Sequence, residues 1–136
     1  MEITTKNEQA RVPVTIMMLD GQLDGSNYQN VIKSVKEVYA SGARHLLMDL
    51  SYLSHISSAG IVAIHNSILI MRGGEPLDPE MGWSTIRSIG DNADRTTEKN
   101  LKILNPQPTV DRSLELTGFK SFLEIFTDEK EALDSF

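Results

Sequence analysis

Apolar positions along this chain change period several times, and each change marks an element. Val14, Ile16, Met17, Met18 and Leu19 form a dense apolar stretch within Val12 to Leu19 that suits a β-strand, with Pro13 at its beginning or edge. A weaker apolar stretch around Ile3 precedes it, so an N-terminal hairpin is expected. Asp20-Gly21 is expected to break the strand, and Leu23-Asp24-Gly25-Ser26 leads into a helix. That helix is the clearest in the sequence: Tyr28, Val31, Ile32, Val35, Val38 and Tyr39 fall at offsets of 0, 3, 4, 7, 10 and 11. Lys33, Lys36 and Glu37 occupy its other side. Ser26 and Gln29 have capping-box spacing, and Gly42 is a natural terminator.

His45 to Leu50 has little alternation, as in a central parallel strand covered on both faces. A polar turn follows. Gly60 to Arg72 then repeats apolar residues at helical spacing, too long for an ordinary strand, and ends at Gly73-Gly74. Leu101 to Leu104 reads as a short strand, Val110 to Thr117 as a helix closed by Gly118, Phe122 to Phe126 as a strand, and Asp128 to Leu133 as a final helix capped by Asp128 with Glu131. Between them, Glu75 to Glu98 has no sustained period and holds six acidic and two basic residues, two prolines and the only tryptophan, Trp83. It reads as an inserted loop in which Trp83, Ile86 and Ile89 could dock on the domain or a partner. Together these predict one α/β domain over residues 1–136: a small mixed, mostly parallel sheet flanked by about four helices, with residues 75–98 inserted after the second main helix. Open sheets of this kind carry function on loops beyond the carboxyl ends of their strands, here Gly21 to Ser26 and Ser51 to Ala59.

Composition narrows the chemistry. At 136 residues a single core is sufficient, and the absence of cysteine excludes disulfides, thiolate metal sites and cysteine nucleophiles. The first residues lack a signal-peptide pattern and no apolar run is long enough for a membrane span, so a cytoplasmic protein without membrane insertion is expected. A net charge of −6 with scattered basic residues argues against nucleic acid. Ser57 and Ser58 occupy a strand-to-helix turn, but Ser54-His55-Ile56-Ser57-Ser58-Ala59-Gly60 lacks the upstream glycine of a nucleophile elbow, and His55 is too near in sequence to serve Ser58 as a base. No catalytic residue is assigned. His45, His55 and His65 lack zinc-site spacing, and Gly21 to Ser26 lacks the lysine of a phosphate loop, so neither a metal nor a cofactor is expected.

The order Gly21-x-Leu23-Asp24, the amphipathic helix, Leu47-Met48-Asp49-Leu50-Ser51 and Ile56-Ser57-Ser58-Ala59-Gly60-Ile61 resembles the STAS domain of bacterial anti-sigma-factor antagonists. Leu114-Glu115-Leu116-Thr117-Gly118-Phe119, Phe122 to Phe126 and the acidic final helix continue the likeness, which covers most of the chain apart from residues 75–98. The resemblance implies a non-enzymatic switch with Ser58 as phosphoacceptor. Its partners would be an anti-sigma factor that is itself a serine kinase, bound when Ser58 is unphosphorylated, and a serine phosphatase. It implies a partner surface of Asp24, Gly25, Ser26, Ser54, Ser57, Ser58 and Ile61 on a monomer or weak homodimer. Two departures matter: Ser57 stands where the family often has aspartate, leaving Ser57 as alternative acceptor, and the acidic insert has no counterpart in the pattern. A helix cap is the simplest role for the serine pair, and an unphosphorylated scaffold in signalling or lipid transport is the competing function.

Overall fold

In the computed structural model, residues 1–74 and 98–136 are described. Strands β1 (Glu2–Gln9) and β2 (Pro13–Leu23) form the expected hairpin, antiparallel from Glu2 opposite Asp20 to Gln9 opposite Pro13. Helix α1 (Tyr28–Ala40) buries Val31, Ile32, Val35 and Val38, the stripe its spacing predicts. It ends at Gly42, whose φ of +106° suits a residue without a side chain.

Strand β3 (Leu46–Asp49) lies parallel to β2, and β5 (Leu101–Leu104) lies parallel to β3 on its other side. A two-residue strand, β6 (Ile125–Phe126), completes that edge. The sheet order is β1-β2-β3-β5-β6, and among the described residues only the β1–β2 pair is antiparallel.

The strand break expected at Asp20-Gly21 does not occur. Gly21 adopts φ +118°, and the register shifts between Gly21 and Gln22, so the chain bulges and continues to Leu23. A bulge bends a strand without ending it, and glycine supplies the backbone freedom it needs. Beyond the bulge β2 changes neighbour, pairing through Gly21, Gln22 and Leu23 with β4 (Leu53–Ile56), a strand inside what the sequence suggests is a loop. Its four residues include two exposed polar ones, Ser54 and His55, so alternation is too brief to register.

Helix α2 (Ser58–Met71) is buried at ten of its fourteen residues, the polar Asn66 and Ser67 among them, so apolar positions recur on more than one of its sides. It packs on the sheet and α1 as part of a core that includes Met17, Leu19, Leu46, Met48, Ile64, Leu101 and Ile103. Helix α3 (Pro108–Leu116) contributes Val110 and Leu114 to the same core. The strand expected over Phe122 to Phe126 shrinks to β6, because Phe119–Ser121 forms a 3-10 turn instead. The amides of Phe122 and Leu123 both donate to the Phe119 carbonyl, at 3.2 and 2.8 Å, and all three side chains enter the core. The other sheet face is covered by the short helix α4 (Glu129–Asp134), whose cap Asp128 accepts from the Lys130 amide at 3.2 Å.

Most of the expected acidic insert, Trp83 included, lies outside the described residues. Glu98, placed by sequence at its end, is a core residue at 3% exposure. Its carboxylate accepts from Arg72 Nε at 2.6 Å and from the Asn100 amide at 3.0 Å, which satisfies the buried charge. Among the described residues no helix is long and apolar enough to cross a membrane, and no group of three or more acidic or histidine side chains could hold a metal ion.

Candidate phosphorylation and partner-binding site

Strands β2 and β4 end side by side, Leu23 opposite Ile56, and the Ser57 amide donates to the Leu23 carbonyl at 2.9 Å. One strand end therefore carries both loops of interest. Ser57 is the N-cap of α2, with extended backbone and its Oγ accepting from the Gly60 amide at 3.4 Å. That role engages its hydroxyl with one of the orphan amides of the helix start. Ser58 is the first helical residue and is exposed. Among the described residues no hydrogen bond engages its hydroxyl.

Gly60 determines how closely the helix start approaches the strands. A Cβ there would lie 2.6 Å from Ile56 Cγ1, 2.9 Å from Leu23 Cγ and 3.1 Å from the Leu23 carbonyl oxygen. Any side chain would push α2, and with it Ser58, away from the β2–β4 end. The one signal of this role in the sequence is a glycine in the first turn of an apolar helix.

On the neighbouring loop, Asp24 accepts from the Ser26 amide at 2.9 Å and the Ser26 hydroxyl at 2.5 Å. These bonds, the hydroxyl's first, hold the Asp24 carboxyl below its ordinary pKa of 3.8, with a smaller contribution from His55. Asn27, not Ser26, is the N-cap position of α1; its side chain bonds the Asp24 amide at 3.0 Å and the Gln22 carbonyl at 2.8 Å. Ser26 is turned to Asp24 instead, because an aspartate two residues before it offers a stronger acceptor than the helix start offers a donor. Gly25 and Ser26 are exposed.

Ser54 is exposed too, its hydroxyl donating to the Gly21 carbonyl at 3.0 Å across the β2 bulge. Ile61 does not share this surface. At 3% exposure it belongs to the main core, because the fourth residue of a helix capped at Ser57 turns toward the sheet, so it supports the helix and offers nothing to a partner. No hydrogen bond links His55 to either serine among the described residues.

Fold and site together define a small α/β domain that offers an exposed serine at a helix start beside a fixed acidic turn. A STAS domain model matches residues 5–74, more than half of the chain, and the chain belongs to that family. Among solved structures it is similar to an anti-sigma factor antagonist from Mycobacterium paratuberculosis, at 17% identity and TM-score 0.64, over 97% of this chain and 92% of that one. It is similar to the anti-sigma factor antagonist SpoIIAA in its unphosphorylated form, at 19% identity and TM-score 0.59, over 96% and 94% of the two chains. The phosphorylated form of SpoIIAA, a Bacillus cell fate determinant, matches at 16% identity and TM-score 0.54, over 96% and 97%. At these identities the likeness is one of fold. A comparison with curated proteins finds no match.

Proposed function

We propose that this STAS domain is a phosphorylation-controlled anti-sigma-factor antagonist, a cytoplasmic protein that binds an anti-sigma serine kinase while Ser58 is unphosphorylated. The observation that carries the reading is the division of labour in the serine pair. Ser57 spends its hydroxyl on the helix cap, whereas Ser58 is exposed with its hydroxyl uncommitted, as a kinase substrate requires. The structural likeness to an antagonist solved in both unphosphorylated and phosphorylated forms supports it.

A phosphate on Ser58 would add about −1.5 to −2 charge at a helix N-terminus, where the dipole favours anions by roughly 0.3–1 kcal/mol. The fold would tolerate it. Trapped unpaired in an interface, the same phosphate would cost at least several kcal/mol, and each ~1.4 kcal/mol is about tenfold in affinity. Asp24, Gly25, Ser26, Ser54 and Ser57 would share the partner face with Ser58, and a serine phosphatase would reset the switch. The protein acts in this reading as a monomer or weak homodimer.

Incubation with ATP and the anti-sigma serine kinases of the encoding genome, followed by mass mapping, tests this. One phosphate on Ser58, none in Ser58→Ala, and loss of kinase binding in Ser58→Asp are expected. A phosphate confined to Ser57 would move the acceptor, and none at either serine would favour an unphosphorylated scaffold. Asp24→Ala should weaken kinase binding at low salt; unchanged binding would remove Asp24 from the interface.

A further inference from the structure

We infer that the partner face extends from Ser58 along β4, by way of the exposed Ser54, to Tyr52, and that Tyr52 is its aromatic anchor; this rests on the kinase-binding reading above. Tyr52 is 60% exposed, one of the few large hydrophobic side chains left in water among the described residues, and it stands on the loop that feeds β4. Its backbone is held from several sides. The Gly21 amide donates to the Tyr52 carbonyl at 3.0 Å, and the Leu53 amide to the Leu50 carbonyl at 3.1 Å. The preceding residue, Ser51, donates its amide to Asp49 at 3.0 Å, and its carbonyl accepts from Gln107 Nε2 at 2.9 Å. Asn105 Nδ2 donates to Ser51 Oγ at 3.1 Å. A ring displayed from a backbone so fixed loses little freedom on binding, which is what makes tyrosine an effective interface anchor.

Position favours the same reading. Tyr52 is bonded to Gly21, three residues before Asp24, and the chain runs from Tyr52 through the exposed Ser54 of β4 to the exposed Ser58. Six residues of extended chain span at most about 20 Å, within the roughly 30 Å breadth of a standard interface of about 800 Å² per partner. Charge selects the partner. Residues 20–26 and 49–58 contain Asp20, Asp24 and Asp49 but no lysine or arginine. A second copy would oppose this acidic face with its own. The occupant that fits is the kinase, presenting an apolar pocket for the ring rimmed by lysine or arginine.

The test measures affinity for the kinase that modifies Ser58, using the full chain. Tyr52→Ala should bind about tenfold more weakly or worse with its melting temperature unchanged, while Tyr52→Phe stays within about threefold. Leu116→Ala, at a still more exposed apolar residue at the far end of α3, should bind like the parent, and parent affinity should fall with added salt. Tyr52→Gln serves as a second variant should the alanine variant melt early, and should show the same loss. Parent-like binding of Tyr52→Ala and Tyr52→Gln, or equal losses in Tyr52→Phe and Tyr52→Ala, would overturn the anchor. Affinity indifferent to salt would overturn the basic rim. A parent chain that binds no kinase would overturn the switch reading and this inference with it.

Discussion

The two faces of the sheet are closed by different physics. The face under α1, α2 and α3 is filled by a continuous apolar cluster drawn from almost every element. Among the described residues the opposite face buries a much smaller apolar cluster, Val14, Ile16, Leu47, Leu104 and Ala132, under the six-residue helix α4. So short a helix has little apolar area to bury. A charge compensates: Lys102, 3% exposed, donates from Nζ to the Ser135 carbonyl at 3.0 Å and the Ser135 hydroxyl at 2.9 Å, with Glu124 at 3.5 Å. The same ammonium lies 4.7 Å from the Phe136 ring centroid and 5.7 Å from that of Phe126. Where apolar area is plentiful it suffices; where it is scarce, a satisfied buried cation fixes the last helix. The switch site grows from the first face, since α2 is both its main filler and the helix that displays Ser58.

The largest effect should come from thinning the filled face. Ile64→Ala, at a fully buried α2 position, should cost about 2–5 kcal/mol in urea unfolding. A cost below 1 kcal/mol would mean that α2 is not the keystone of that face. Removing the cation should act on the thin face and act locally. Lys102→Ala leaves the Ser135 carbonyl without its donor and should cost about 1.5–3 kcal/mol, the range for hydrogen bonds to charged groups. Hydrogen exchange should show lost protection concentrated in α4; uniform loss would show that the two faces unfold as one.

Smaller effects test how the site is attached. Ser57→Ala removes the α2 cap and should cost about 1 kcal/mol, whereas Ser58→Ala, at an exposed hydroxyl with no hydrogen bond among the described residues, should stay within about 0.5 kcal/mol by thermal melting. Equal costs would contradict the division of roles within the pair. The most modest is a pH slope. Burial, with Arg72 adding to it, pushes the His65 imidazole below its ordinary value of 6.5. The unfolded chain therefore takes up a proton first, so the His65 contribution to stability is full above about pH 6.5 and declines as pH falls from there towards the lowered native value. In His65→Phe this part of the stability–pH curve should flatten; an unaltered curve would show that His65 is not its source.

Much of this was legible in the chain. The α1 stripe, the buried β3 run, the extent of α2 and the caps at Gly42, Gly118 and Asp128 all follow from local periodicity and backbone preference, and the structure has them. Ser57 and Ser58 could be placed at a helix start for the same reason. Local signals failed where a distant strand decided the outcome. Gly21 reads as a terminator, yet a neighbour waiting at β4 turns it into a bulge. Phe122 reads as strand, yet room in the core draws Phe119, Phe122 and Leu123 into a tight turn.

By itself, then, the sequence determined the α/β class, the order of its main elements and the loops that carry the serine pair, because these depend on patterns a few residues long. Which serine is free, which glycine sets its distance from the strands and which isoleucine is lost to the core were decided only in three dimensions. So were the burial of Glu98 and Lys102. A charged side chain enters a core when partners remote in sequence satisfy it, here Arg72 for one and Ser135 for the other. Such partners leave no mark on the local pattern.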